Sequence, residues 1–336
     1  MNFVGIDLHK KTITVCVVNQ ERKVLKRATL YCVETERIAD FFRGLGAFTA
    51  VVEATASYEW LWQLLEPLAQ RLVLAHPKKL RVIAESKNKS DRLDAQVLAE
   101  FLALDMIPPA YRPTPRQRQH RALVRQRQQI RRALVRARNR LRHLLANYNA
   151  DRRDLFTAAG LAYLVEVPVS AADRFVRDQL LATWEHHREQ LAAITKELAA
   201  LAKAAPPAER AARECLASAP GVGPVTVDVL LSEIGDIGRF RSNKKVMAYA
   251  GLVPGLRESA GRRKELGITK EGSRLLRWAM VQAAWRLVRP AGRWRLVFEQ
   301  LRKRRGAKKA IVAVARRLLG VLATLWRTGQ RYRLAL

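Results

Sequence analysis

Four carboxylates spread over residues 7–94 are the side chains best suited to chemistry: Asp7, Glu53, Asp91 and Asp94. Asp7 follows the apolar run 2–6 and Glu53 follows the apolar run 48–52, while Asp91 and Asp94 open the helical-looking stretch 91–99. Residues three apart on a helix share a face. Like charges about 4 Å apart repel by about 1 kcal/mol in water and about 4 kcal/mol at an effective dielectric near 20, so four converging carboxylates require a cation. Hard oxygen donors suit Mg²⁺ or Mn²⁺, which take a few carboxylates and complete their shell with water and phosphate oxygens. Two such ions about 3.5–4 Å apart stabilise both the attacking and the leaving oxygen of a phosphodiester exchange. Any one of these acids alone reads better as a cap or a surface contact; two strand ends and one helix face together favour the metal. Lys78, Lys79, Arg81, Lys87, Lys89 and Arg92 surround the later acids, as expected where a polyanion approaches a cation.

The elements that must position these acids follow from periodicity. Residues 2–8 and 12–18 are β-branched and apolar and read as strands, and a third runs from 23 to 32, where apolar and polar residues partly alternate. Residues 34–44 read as a helix ending at Gly44, and 48–53 as a buried central strand. A helix over 58–70, a strand over 71–75 and a basic loop over 76–79 follow. The helix bearing Asp91 and Asp94 starts near Ser90, a residue suited to an N-cap. Three strands and then alternating helix and strand predict an α/β domain over 1–107 with a mixed central sheet.

The 336 residues suffice for two domains with proper cores, and 49% hydrophobic residues exclude global disorder. No run approaches the roughly 20 apolar residues of a membrane span. No basic-then-apolar leader is visible, so a cytoplasmic location is expected, with nucleoid association during action. Cys16, Cys32 and Cys215 are too few and scattered for a disulfide framework or a zinc site and read as reduced thiols; the six histidines show no ligand spacing.

The net charge of +32 is distributed unevenly. Residues 1–111 carry 15 basic and 13 acidic side chains, whereas 112–150 carry 12 arginines and no acid. Residues 151–220 are near balance, and 221–336 hold 26 basic against 7 acidic groups. Arginine runs without interleaved acids repel one another unless a polyanion neutralises them, which points to nucleic acid and to salt-dependent binding. Arg125, Arg132 and Arg136 are candidate contacts.

Pro108, Pro109, Pro113 and Pro115 mark a boundary. Beyond it, 116–147 reads as one long helix and 173–204 as a second. In the latter, Leu180, Trp184, His187, Leu191, Ile194, Leu198 and Leu201 step by four and three, a heptad seam that pairs with the first helix or with another subunit. Residues 108–207 are therefore a proline linker with basic coiled-coil helices, and 208–336 a mainly α C-terminal domain. Within it, Gly221 and Gly223 lie in a turn that resembles a helix-hairpin-helix, whose following helix presents N–H groups to a phosphate. Lys244 and Lys245 add positive charge nearby in sequence. Trp285, Trp294 and Phe298 sit in helical apolar patterns and read as core.

Three motifs, Gly5-Ile6-Asp7-Leu8-His9-Lys10, the run 52–58 (VEATASY) and the run 89–95 (KSDRLDA), resemble the signatures of DEDD transposases of the insertion-sequence-110 family. Ala250-Gly251-Leu252-Val253-Pro254, the Ser-Ala-Gly at 259–261 and the run 267–277 (GITKEGSRLLR) resemble that family's second domain. The resemblance spans nearly the whole chain in the same order. It implies a RuvC-like N-terminal domain with an RNase H fold, in which the four acids bind Mg²⁺. It also implies that Ser259 attacks DNA to form a covalent phosphoserine, with Arg257, Arg262, Arg263 and Lys264 placed to hold the scissile phosphate. A serine hydroxyl is a poor nucleophile unaided, and no histidine lies near Ser259 in sequence. The resemblance further implies donor and target DNA, a structured bridge RNA that pairs with both, and a homo-oligomer, dimer or tetramer, in which one subunit's acids serve another's serine.

Two other readings compete with this transposase. A RuvC-like junction-resolving nuclease would hydrolyse phosphodiesters with two metals and no covalent step, leaving Ser259 idle. A non-catalytic scaffold would use only the arginine helices.

Overall fold

The computed structural model describes residues 1–55, 57–83, 91–259 and 262–333, with side chains throughout except at 81–83, 91–93, 256–259 and 262–265. The chain divides into two compact units, Met1–Arg112 and Pro113–Leu336.

The first unit contains β1 (Asn2–Leu8), β2 (Thr12–Val18), β3 (Val24–Tyr31), α1 (Thr35–Arg43), β4 (Phe48–Glu53), α2 (Glu59–Leu65), β5 (Arg71–Ala75), α3 (Pro77–Ile83) and α4 (Asp91–Ala103). The sheet order is β3-β2-β1-β4-β5. The first three strands form antiparallel pairs, and β1–β4 and β4–β5 are parallel. Antiparallel neighbours need only short turns, while parallel ones need crossovers, here supplied by α1 and α2. The β4 run Phe48–Val52 is wholly buried, as its unbroken apolar sequence requires.

Side chains alternate across a strand, which sorts β1 into two faces. Val4 and Ile6 join Ile38, Phe42 and Leu61 in the layer under α1 and α2. Phe3 turns to the other face, where Ala95, Ala99 and Ala103 of α4 pack with Cys16 and Val18. Gly5 makes this contact possible, because a Cβ there would lie 2.0 Å from the Ala95 carbonyl oxygen and 2.5 Å from the Ala99 nitrogen. Residues 76–79 differ from the expected loop. Pro77, with its φ preset for a first helical turn, starts α3, so Lys78 and Lys79 are exposed on a helix. The helix expected over 58–70 ends at Leu65.

The second unit contains α5 (Pro115–Ala146), α6 (Ala158–Glu166), α7 (Ala171–Lys203), α8 (Pro207–Ala217), α9 (Pro224–Ile234), α10 (Asn243–Tyr249), β6 (Pro254–Ser259), β7 (Arg262–Ile268), α11 (Arg274–Leu287), α12 (Arg293–Arg305) and α13 (Ala307–Thr328). The segment 113–207 thus shares one compact unit with the C-terminal helices. Thr114 and Gln117 form a reciprocal capping box at the start of α5, with Pro115 at its first position. The helices α5 and α7 pair with each other and run antiparallel: Arg116 donates to the Leu201 carbonyl at one end, and Tyr148, just past α5, donates to Asp173 at the other. Leu180, Trp184 and Leu198 of the expected seam are buried, and Leu198 joins the main core. That core surrounds α9, which is buried from Thr226 to Ile234. The short helix α6 and the β6–β7 hairpin were not legible in the sequence.

Candidate active site

Asp7 and Glu53 come together through strand register. The parallel pairing of β1 and β4 runs to Ile6 opposite Val52, so Asp7 and Glu53 are the next residues at the same end of adjacent central strands. Both lie on the face that α4 covers, since Phe3 two pleats before Asp7 packs against α4, and Val51 two before Glu53 packs against Leu98 and Leu102. The direction of α4 completes the arrangement. Its C-terminal Ala103 packs near Phe3, at the start of β1, while Ala95 lies over Gly5. Its first turn, carrying Asp91 and Asp94, is therefore directed towards the end of the sheet where Asp7 and Glu53 stand.

The Asp7 side chain is only 14% exposed, and its Oδ2 lies 3.0 Å from Nε2 of His9. Glu53 is half-buried, and among the described residues its carboxylate has no ion-pair or hydrogen-bond partner. A partly buried carboxylate without a partner is costly, and hard oxygen donors are what a divalent ion recruits; this donor set fits such an ion. Asp94 is exposed on α4. Among the described residues no three acidic, histidine or cysteine side chains are grouped closely enough to hold a metal, and the side chain of Asp91 lies outside them.

Ser259 is the last residue of β6 and pairs in register with Arg262 of β7. It stands at the tip of a two-stranded hairpin in the second unit. The side chains of Ser259, Arg257, Arg262, Arg263, Lys264 and Arg92 lie outside the described residues, as do Lys87 and Lys89 entirely.

The remaining basic candidates separate into two kinds. Arg132 and Arg136 are exposed on α5, and Lys244 and Lys245 are exposed on α10; none of the four has a carboxylate partner among the described residues. Arg125 is different: Nε and Nη2 hold the two oxygens of Glu233 at 2.9 and 3.1 Å. That paired hydrogen bond, ahead of the opposing effect of burial, raises its pKa. Its fork is therefore occupied by a carboxylate of its own chain, which the sequence alone had left free for phosphate. The same helix sends Arg116 to Glu209 and Arg121 to the Ser232 carbonyl. Burial raises the pKa of Glu209, but hydrogen bonds from Arg116 and Arg213 outweigh it and hold the carboxyl below its usual range. On α9, Asp228 lies 3.0 Å from His120 and accepts from Arg213 at 2.8 Å.

Gly221 and Gly223 form the expected tight turn between α8 and α9. Gly221 has φ +78°, and a Cβ there would lie 2.9 Å from the Ala283 carbonyl oxygen and 3.0 Å from the Leu287 nitrogen of α11. Gly223 is the N-cap of α9, without a side-chain hydrogen bond.

Comparison with known proteins gives two family matches. A DEDD transposase family described as "Transposase" matches residues 4–150, which include all four acids. The "Transposase IS116/IS110/IS902 family" matches residues 213–298, including the glycine turn and the hairpin. These two matches, in this order, define the protein as a transposase. More narrowly, the chain belongs to the IS110 family of DEDD transposases. It is 25% identical over 347 residues to the transposase for insertion sequence element IS1111A of Coxiella burnetii, covering 99% of this chain and 92% of that one. The transposase for insertion sequence element IS1328 of Yersinia enterocolitica is 24% identical, covering 84% of this chain and 83% of its own. A pilin gene-inverting protein of Moraxella lacunata is also 24% identical, covering 95% and 94% respectively. No helix among the described residues is long and apolar enough to cross a membrane.

Proposed function

We propose that this transposase cuts and rejoins DNA at a metal-dependent carboxylate site served by a nucleophilic serine. The observation that carries the reading is the meeting of two adjacent strand ends, Asp7 and Glu53, under the helix whose first turn holds Asp91 and Asp94. The strand order, with three antiparallel strands leading into two parallel ones, supports assigning the first unit to the RuvC-like, RNase H-type fold.

In this reading Asp7, Glu53, Asp91 and Asp94 hold Mg²⁺ or Mn²⁺. When bound, such an ion neutralises phosphate charge and favours the ionised form of an attacking hydroxyl. The Ser259 hydroxyl forms the Oγ–P bond, one bridging P–O bond breaks, and the departing strand end leaves as a hydroxyl. Attack by a strand hydroxyl on the phosphoserine reverses these bonds and joins the new partner. His9, 3.0 Å from Asp7, orients that carboxylate. Arg257, Arg262, Arg263 and Lys264 on the hairpin provide cations near the serine in sequence. Ser259 is in a different compact unit from the acids; in this reading the acids of one subunit serve the serine of another in a homo-oligomer. The exposed arginines accord with backbone contacts to donor and target DNA and to a bridge RNA that reads their sequence by pairing.

The test is covalent trapping on cleaved DNA. Asp7→Asn and Glu53→Gln are expected to abolish cleavage while leaving DNA affinity within about twofold of wild type, because neither supplies phosphate-neutralising charge. Ser259→Ala is expected to abolish the covalent product. Metal-dependent cleavage that survives Ser259→Ala would instead establish the hydrolytic nuclease reading.

A further inference from the structure

Beside the glycine turn lies a cavity of about 190 Å³ that no acid lines; its walls include Arg127, Arg131, Gly223, Thr226, Trp278 and Arg286. Arg127 and Arg131 are one turn apart on α5 and so share a face, and Arg286 comes from α11. Among the described residues no carboxylate pairs with any of the three. This sets them apart from Arg116 and Arg125 earlier on α5, which are spent on Glu209 and Glu233. Arg127 is steadied by a 3.3 Å hydrogen bond to Thr195, and Arg131 lies 5.2 Å from the ring centroid of Trp278. Desolvation and then the charge of Arg131 hold the Arg127 pKa below its ordinary value. The charge of Asp228 opposes this only in part and forms no ion pair with Arg127, so the like charges gather without a bonded carboxylate among the described residues.

The third wall is the start of α9. Its N-cap is Gly223; Pro224 has no N–H and the Thr226 N–H donates to the Gly223 carbonyl at 2.9 Å, so the Val225 N–H and the partial positive charge of the helix N-terminus are what this end offers an anion. A Cβ on Gly223 would meet Nη1 of Arg286 at 3.7 Å, an ordinary van der Waals contact, so that guanidinium lies beside the turn. The volume is below the roughly 300–1,000 Å³ of pockets that engulf small molecules, which suits one anionic group on a larger body. The face of Trp278 is occupied by Arg131, leaving no free aromatic platform for an unstacked base, the feature that single-strand readers rely on.

We propose that this cavity holds one backbone phosphodiester of a nucleic-acid duplex, as an anchoring contact separate from the carboxylate site. The proposal draws on the transposase assignment only for the class of ligand. It is tested by binding in chelator, without cleavage, so failure of the proposed cleavage chemistry leaves its outcome untouched.

The experiment titrates the full chain against a short DNA duplex and an RNA duplex of the same sequence over a range of salt. Arg127→Gln and Arg131→Gln are each expected to weaken duplex binding about tenfold and to reduce the slope of log affinity against log salt by roughly one. Arg127→Lys is expected to retain the slope. Arg174→Gln, at an exposed position on α7, removes the same charge elsewhere and is expected to change neither quantity. A loss confined to the DNA or to the RNA duplex identifies which backbone the cavity holds. Thermal melting accompanies each variant; if either α5 substitution unfolds the chain, Arg286→Gln takes its place with the same expected loss. Folded variants with wild-type affinity and slope on both duplexes would overturn the proposal.

Discussion

Glu233 is the least solvated acid that the described structure pairs with an arginine: its side chain is 2% exposed on a helix buried over most of its length, and Arg125 reaches it from α5. Removing one partner of a fully buried pair costs about 3–5 kcal/mol, because the other charge is left uncompensated. Here Arg125 is half-exposed, so Arg125→Gln is expected to lower the unfolding free energy by about 2–3 kcal/mol. Glu233→Gln added to it should recover part of the loss. Chemical denaturation of the two variants checks this; an Arg125→Gln protein with wild-type stability and weakened DNA binding would return the residue to the phosphate contacts. The sequence could not separate these arginines. Arg125 and Glu233 are 108 residues apart and Arg116 and Glu209 are 93 apart, so no local spacing marks them as partners, whereas Arg132 and Arg136 look the same in sequence and remain on the surface.

At the scale of elements, the candidate site depends on how closely α4 lies on β1, and Gly5 sets that distance. A methyl group there would overlap the backbone of Ala95 and Ala99, and overpacking of this kind costs about 1–3 kcal/mol or more. Gly5→Ala is therefore expected to lower the melting temperature and, by displacing the first turn of α4, to reduce cleavage far more than DNA binding. Equal losses in both would contradict a specific effect on the acids. The strands of this unit were readable because β-branched runs of the right length have few other fates. The proposed convergence of the four acids was readable only as a requirement of their charge; the register sets Asp7 and Glu53 at one end of adjacent strands, and the direction of α4 turns its first residues towards that end. The β6–β7 hairpin was hidden for the opposite reason. Its residues at 254–268 are rich in charge and glycine, with no alternation of apolar and polar positions to announce a strand.

For the whole molecule, the formal charge of +32 overstates what is available to a partner. Of the twelve arginines in 112–150, Arg112, Arg116, Arg125 and Arg142 hold carboxylates of their own chain. The remainder still predict strong salt dependence. If about six to ten phosphates are neutralised, duplex affinity should fall about 10³–10⁵-fold between roughly 50 and 200 mM salt. Fluorescence anisotropy across that range checks this, and a flat response would contradict backbone binding by the arginine helices.

The long-range pairing of α5 also has a consequence in time. During synthesis, Arg116 is made 93 residues before Glu209 and Arg121 is made 111 residues before Ser232. At about 5–20 residues per second, each waits roughly 5–20 s for its partner to be made. Through that interval the most basic helix of the chain emerges without Glu209, Asp228 and Glu233, the acids that later restrain its first half. A newly made copy thus meets surrounding polyanions with more unpaired positive charge than the finished fold retains.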